Sequence, residues 1–108
     1  MEFIKNNGTD FPEIAEHSID CLFSFGVFVH LDAPIIETYL ANMKLILKPR
    51  ANVVIQYSDK TKIMAQLNES FSQNTPEKMR TMVLNAGYTI LEEDLTTMWH
   101  SSVIRFTV

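Results

Sequence analysis

The hydrophobic pattern is densest between Ser18 and Gln56, where an apolar run gives way to a helical period and then to a second apolar run. Ile19 to Phe25 is almost unbroken in apolar residues, which predicts a parallel strand covered on both faces, with Cys21 packed inside it as a small hydrophobe. Ile35, Ile36, Tyr39, Leu40, Met43, Ile46 and Leu47 fall on one broad helical face. Asp32 stands at the N-cap of that helix, and Pro34 is tolerated in its first turn, where a missing N–H costs nothing. Lys44 and Lys48 lie near the C-terminal end, where cations favour the helix dipole, and Pro49 stops the helix. Asn52 to Tyr57, β-branched and apolar, is the next strand, which completes a strand–helix–strand unit.

The flanks read less densely. Glu2 to Lys5 suits a short strand, Asn6 to Asp10 a turn, and Phe11 to His17 a loop with one helical turn after Pro12. Beyond Ser58-Asp59-Lys60, the spacing of Ile63, Met64, Leu67 and Phe71 predicts a helix over Thr61 to Ser70. Thr75-Pro76-Glu77 is a strong helix start, Met79, Met82, Val83 and Ala86 form its buried stripe, and Gly87 is its C-terminal glycine. Tyr88 to Leu95 and Ser101 to Val108 read as antiparallel strands, with Ile104, Phe106 and Val108 on one face. Glu92 and Glu93 are expected at a solvated strand end, and Trp99 over the sheet edge. Met43, Met64, Met79, Met82 and Met98 are expected as core filler. The chain reads as one α/β domain over residues 1–108.

The segments IDCLFSFGVFVHL and YLANMKLILKPRANVVIQ resemble the central region of class I S-adenosylmethionine-dependent methyltransferases. Asp20, Ser24, His30, Leu31, Leu47, Lys48 and Pro49 match the family's order: an aspartate opening its fourth strand, a loop ending in His-Leu, then a helix and a Leu-Lys-Pro turn. Arg50 and Ala51 stand where the family has two glycines. A left-handed turn suits glycine and is costly for a residue with a Cβ, so a different turn is expected here, a type I turn with Pro49 second. The resemblance implies a partial Rossmann-like methyltransferase sheet, mostly parallel with an antiparallel last strand, and helices packed on it. It also implies S-adenosylmethionine as cofactor, bordered by Asn7, Gly8, Ser24, Phe25, Gly26, Val27 and His30, with Asn7 where an aspartate is common.

Composition changes this picture at one point. The chain has three glycines, Gly8, Gly26 and Gly87, none close enough to another for a G-x-G loop. Such glycines let a backbone approach the cofactor, and a carboxylate on the second strand accepts from its ribose. Only the second half of the family's domain is therefore matched. The remaining composition excludes more than it proposes. A net charge of −4 with scattered basic residues gives no electrostatic footprint for nucleic acid. A single cysteine forms no internal disulfide, no apolar run approaches a membrane span, and Met1 to Lys5 lacks the pattern of a signal peptide. A cytoplasmic location is expected, with no membrane partner.

Chemistry is sought at the C-terminal ends of the strands, where open α/β sheets place their ligands. His30 is either a general base or a structural residue capping the helix that follows; Gly26 serves either close backbone approach or a tight turn. Leu22 to Gly26 lacks the first glycine of a hydrolase nucleophile elbow, and His17, His30, His100 and Cys21 lack metal-ligand spacing. Two functions remain. One is a fragment or subunit of a methyltransferase acting on an unidentified acceptor; the other is a non-catalytic interaction module that does not bind the cofactor alone. The family's strand order runs three-two-one-four-five-seven-six, so Ile19 to Phe25 becomes an edge here. It is expected to pair with the N-terminal segment, with a second copy as a homodimer, or with a complementary N-terminal subunit.

Overall fold

The computed structural model describes Phe11 and residues 14–108. The strand expected over Glu2 to Lys5, the turn at Asn6 to Asp10, and the cofactor-bordering positions Asn7 and Gly8 lie outside the described residues, as do Pro12 and Glu13.

The apolar run forms strand β1, Ile19–Ser24. A short 3-10 helix, Phe28–His30, leads to helix α1, Ala33–Ile46. Asp32 is the N-cap through its backbone alone: its carbonyl accepts from the Ile36 N–H at 3.1 Å, and its carboxylate makes no capping bond. Helix α1 passes directly into strand β2, Leu47–Ser58. The chain turns extended at Leu47 (ψ 137°), before Pro49 is reached, so Pro49 lies inside β2. Opposite it, Ile19 pairs with Leu47 and Cys21 with Asn52, so Asp20 alone spans Lys48 to Ala51. The Lys48 ammonium meets the Asp20 carboxylate there at 3.0 Å. Arg50 in this irregularity adopts φ +65°, the left-handed conformation expected only of glycine. The turn therefore keeps the geometry that the resemblance implies despite the Cβ, which corrects the expectation of a type I turn.

Strands β3, Thr89–Asp94, and β4, Ser101–Thr107, close the sheet in the order β1-β2-β4-β3. β1 runs parallel to β2, while β4 is antiparallel to both β2 and β3. Three strands thus point one way and the last points back, as the resemblance implies for strands four, five, seven and six. Between β2 and β3 lie a short helix α2, Ile63–Gln66, and helix α3, Pro76–Asn85. α2 is much shorter than the helix expected over Thr61 to Ser70. α3 follows its start signal: the Thr75 hydroxyl accepts from the Lys78 N–H at 3.3 Å, and Gly87 beyond its end takes φ +88°.

One sheet face carries the core. Val53, Ile55 and Tyr57 of β2 and Ile104 and Phe106 of β4 are fully buried against Ile36, Leu40 and Met43 of α1 and Met79 and Val83 of α3. Each such aliphatic or aromatic side chain stabilises by about 1.5–3 kcal/mol. Tyr88 ties the layers together: its hydroxyl donates to the Leu40 carbonyl at 2.6 Å and its ring packs edge-on to Phe106. The alternate positions face away from the helices. In register across the sheet these are Phe23, Val54, Arg105 and Glu92. Phe23 is 73% exposed, Cys21 is exposed and Val54 is half-buried. The expectation that β1 is covered on both faces, with Cys21 in the core, is corrected: its apolar run faces open space on one side.

Other expectations divide. Met43, Met79 and Met82 are core, whereas Met64 is half exposed and Met98 half-buried. Trp99, expected over the sheet edge, is 78% exposed. Glu92 pairs with Arg105 across the strands at 3.3 Å, and Glu93 holds Arg80 of α3 through both carboxylate oxygens at 2.8 and 2.9 Å. The acidic pair is thus a tie between helix and sheet, not merely a solvated strand end. Val108, expected on the buried face, is partly exposed.

Candidate functional site

The C-terminal ends of β1 and β2 and the start of β4 meet at one end of the sheet. Ser24, half-buried, pairs in register with Ile55 and ends β1. Phe25, Gly26 and Val27 then turn outward, the two apolar side chains each half exposed. Gly26 takes φ +79°, and a Cβ placed on it would meet nothing within 4 Å. Its N–H donates to the Gln56 side-chain carbonyl at 2.6 Å. Gly26 thus sits in a tight turn closed by a buried glutamine of the neighbouring strand, with open space outside it.

His30 ends the 3-10 helix and is exposed. Its Nδ1 lies 2.9 Å from the Ser70 carbonyl, which can only accept, so Nδ1 carries the proton and Nε2 of the neutral ring is left as the basic nitrogen. It does not cap α1, since that place belongs to Asp32. His30 and His100 each stand edge-on to Phe71, with centroids at 5.4 and 5.2 Å. The two histidines, dispersed in sequence, are thus brought to either side of one aromatic ring. His17 stays apart, its Nδ1 donating to the Leu47 carbonyl at 2.9 Å. Among the described residues no His, Cys, Asp or Glu cluster could hold a metal ion.

A polar frame behind this array escapes sequence reading. Asp59, only 1% exposed, accepts from the Thr61 N–H at 3.0 Å, from the Thr61 hydroxyl, and from the Ser102 hydroxyl at 2.6 Å. Its backbone N–H reaches the His100 carbonyl at 3.3 Å. The Lys60 ammonium donates to the carbonyls of Ala65 (2.6 Å) and Asn68 (3.1 Å), and that of Lys62 to those of Met98 (2.5 Å) and Ser101 (2.7 Å). These bonds fix the 59–75 segment against the β3–β4 connection. The one signal in sequence is that Gln56 and Asp59 stand at the end of an otherwise apolar strand, where a buried polar side chain needs a partner. Lys62 and Phe71 carried none.

No family model and no curated protein matches this chain. Solved structures do. A methyltransferase from Archaeoglobus fulgidus, described as S-adenosylmethionine-dependent, aligns with a TM-score of 0.73 over 97% of this chain at 12% identity. A second such enzyme, from Aquifex aeolicus, gives 0.68 over 99% at 18% identity, and the magnesium protoporphyrin IX methyltransferase of Synechocystis gives 0.68 over 83% at 13%. The fold is that of a class I S-adenosylmethionine-dependent methyltransferase. The chain spans 66%, 55% and 45% of the lengths of these structures.

At the C-terminal end of β1 the described part of this fold presents a tight turn with apolar flanks. The Gly26 N–H in this turn is held by the Gln56 side chain. Apolar Phe25 and Val27 flank it, and the sequence holds no glycine-rich loop. No helix among the described residues is long and apolar enough to cross a membrane.

Proposed function

We propose that this chain supplies the acceptor-side half of a methyltransferase domain, and that a complementary glycine-rich half completes the site for S-adenosylmethionine. The intact site moves the sulfonium methyl to a nucleophilic acceptor, with catalysis resting on alignment of the two groups. Phe25, Gly26 and Val27 would border the cofactor from this side, with Asn7 and Gly8 contributing from the N-terminal segment; His30, through its basic Nε2, is the candidate proton acceptor.

The observation that carries this reading is the state of β1. Among the described residues its outer edge has no partner, and Phe23, Phe25 and Val27 expose between half and three quarters of their surface beside it. An apolar edge strand left in water is a site for pairing. In the proposed enzyme that edge and the bare face beyond it receive the complementary half. A second reading rests on the same edge: two copies pair through β1, and the chain acts as an interaction module.

Cys21, the only cysteine, is an exposed reporter on the open face of this edge strand. The first reading predicts a monomeric solution mass and rapid alkylation of Cys21 in the isolated chain. A dimeric mass with slow alkylation supports self-pairing instead. Slow alkylation in a monomer contradicts both, because the edge is then covered from within the chain.

A further inference from the structure

The segment after β2 builds a groove that the cofactor wall does not use. It has a volume of about 570 Å³ and is lined by Met64, Leu67, Glu69, Phe71 and His100, together with the Asn68–Ser70 turn. Its apolar lining is unusually bare: Met64 is 50% exposed and Leu67 73%. Phe71 forms the floor as the shared ring between the two imidazoles. His100 has its Nδ1 at 2.5 Å from the Ser101 hydroxyl, and among the described residues its Nε2 has no partner.

Charge separates the ligands this groove would take. Among the described residues Glu69 is its only carboxylate, and no Lys or Arg lines it. Lys60 and Lys62, the cations of the same segment, have their ammonium groups committed to four backbone carbonyls beneath the loop. An anion entering here would lose its water, find no cation, and face a like charge. A flat apolar ring would cover Met64 and Leu67 and meet Phe71 edge-on or offset, while a hydroxyl or amine on it would reach the free imidazole nitrogen of His100.

The geometry points to a planar aromatic molecule without anionic groups, carrying a hydroxyl or amine, as the ligand of this groove, and to that molecule as the methyl acceptor. The second clause rests on the methyltransferase reading; the first does not. The test is a matched pair of probes, 2-naphthol and 2-naphthoate, titrated into the full chain without cofactor, with shifts followed at the Met64 methyl, the Phe71 amide and the His100 ring. Saturable shifts at these positions with 2-naphthol, and binding of 2-naphthoate weaker by about tenfold or more, support the assignment. Leu67→Lys, at a position too exposed to disturb folding, is expected to reverse that preference. Equal or tighter binding of 2-naphthoate to the unaltered chain, shifts confined to another surface, or no saturation with either probe would overturn it. Because no cofactor is present, failure of the methyltransferase reading leaves this outcome unchanged and removes only the acceptor role.

Discussion

Arg50 and Gly26 hold the same left-handed backbone with opposite consequences. At Arg50 (φ +65°) the Cβ is strained, so Arg50→Gly should raise stability by up to about 1 kcal/mol, less the extra freedom glycine gains in the unfolded chain. At Gly26 the space is open but φ is +79°, and Gly26→Ala should lower stability by about 1–2 kcal/mol through strain alone. Urea unfolding of both variants checks the signs. Two buried tyrosines add a pH dependence. Burial pushes the Tyr88 hydroxyl well above its ordinary value; burial, then the nearby Glu93 and Asp59 carboxylates, do the same to Tyr57. Raised folded values mean that the stability contributed is fully present below the unfolded pKa of about 10 and is lost as pH rises past it. Stability should therefore stay level through neutral pH and fall above about pH 10, by about 1.4 kcal/mol per pH unit for each tyrosine. Tyr88→Phe should remove one tyrosine's share of that slope and, by losing the bond to the Leu40 carbonyl, cost about 1 kcal/mol at pH 7.

At the scale of elements, local signals decided what packing did not have to. α3 was legible because its start and stop are covalent facts of the chain: a capping Thr75, Pro76 at the first position, and a Gly87 able to take φ +88°. Thr75→Ala should accordingly cost about 1 kcal/mol, read as a lowered unfolding midpoint. β1 shows the opposite case. Its apolar run was read as an interior strand because periodicity reports hydrophobicity and cannot report whether the covering layer is present. Phe23 and Cys21 are apolar for a face that stands open in this chain. Phe23→Lys should change stability by less than about 0.5 kcal/mol, since the side chain is already exposed, while suppressing any pairing through β1 in sedimentation experiments. The helix expected over Thr61 to Ser70 forms only as Ile63–Gln66, because its helical spacing is sustained over one turn. What orders the 59–75 segment is lysine-to-carbonyl and Asp59 bonding, which no hydrophobic pattern records.

For the whole molecule, the sheet order β1-β2-β4-β3 and the antiparallel last strand agree with what the resemblance to the methyltransferase family implies. The candidate site followed only in part. Ser24 to Val27 lie at the strand ends where the resemblance put them, but the pairing of His30 and His100 around Phe71 joins residues seventy apart in number and depends on the tertiary fold. The feature of greatest functional weight is a composition fact, three scattered glycines, set against a fold shared with solved methyltransferases. In the function proposed above, the chain forms one side of a cofactor site and needs its complement to hold the cofactor. Calorimetric titration of the purified chain with S-adenosylmethionine tests it most directly. No saturable one-to-one binding by the chain alone is expected; one-to-one binding in the micromolar range would mean that the wall at Phe25 to Val27 suffices, and would contradict the half-site.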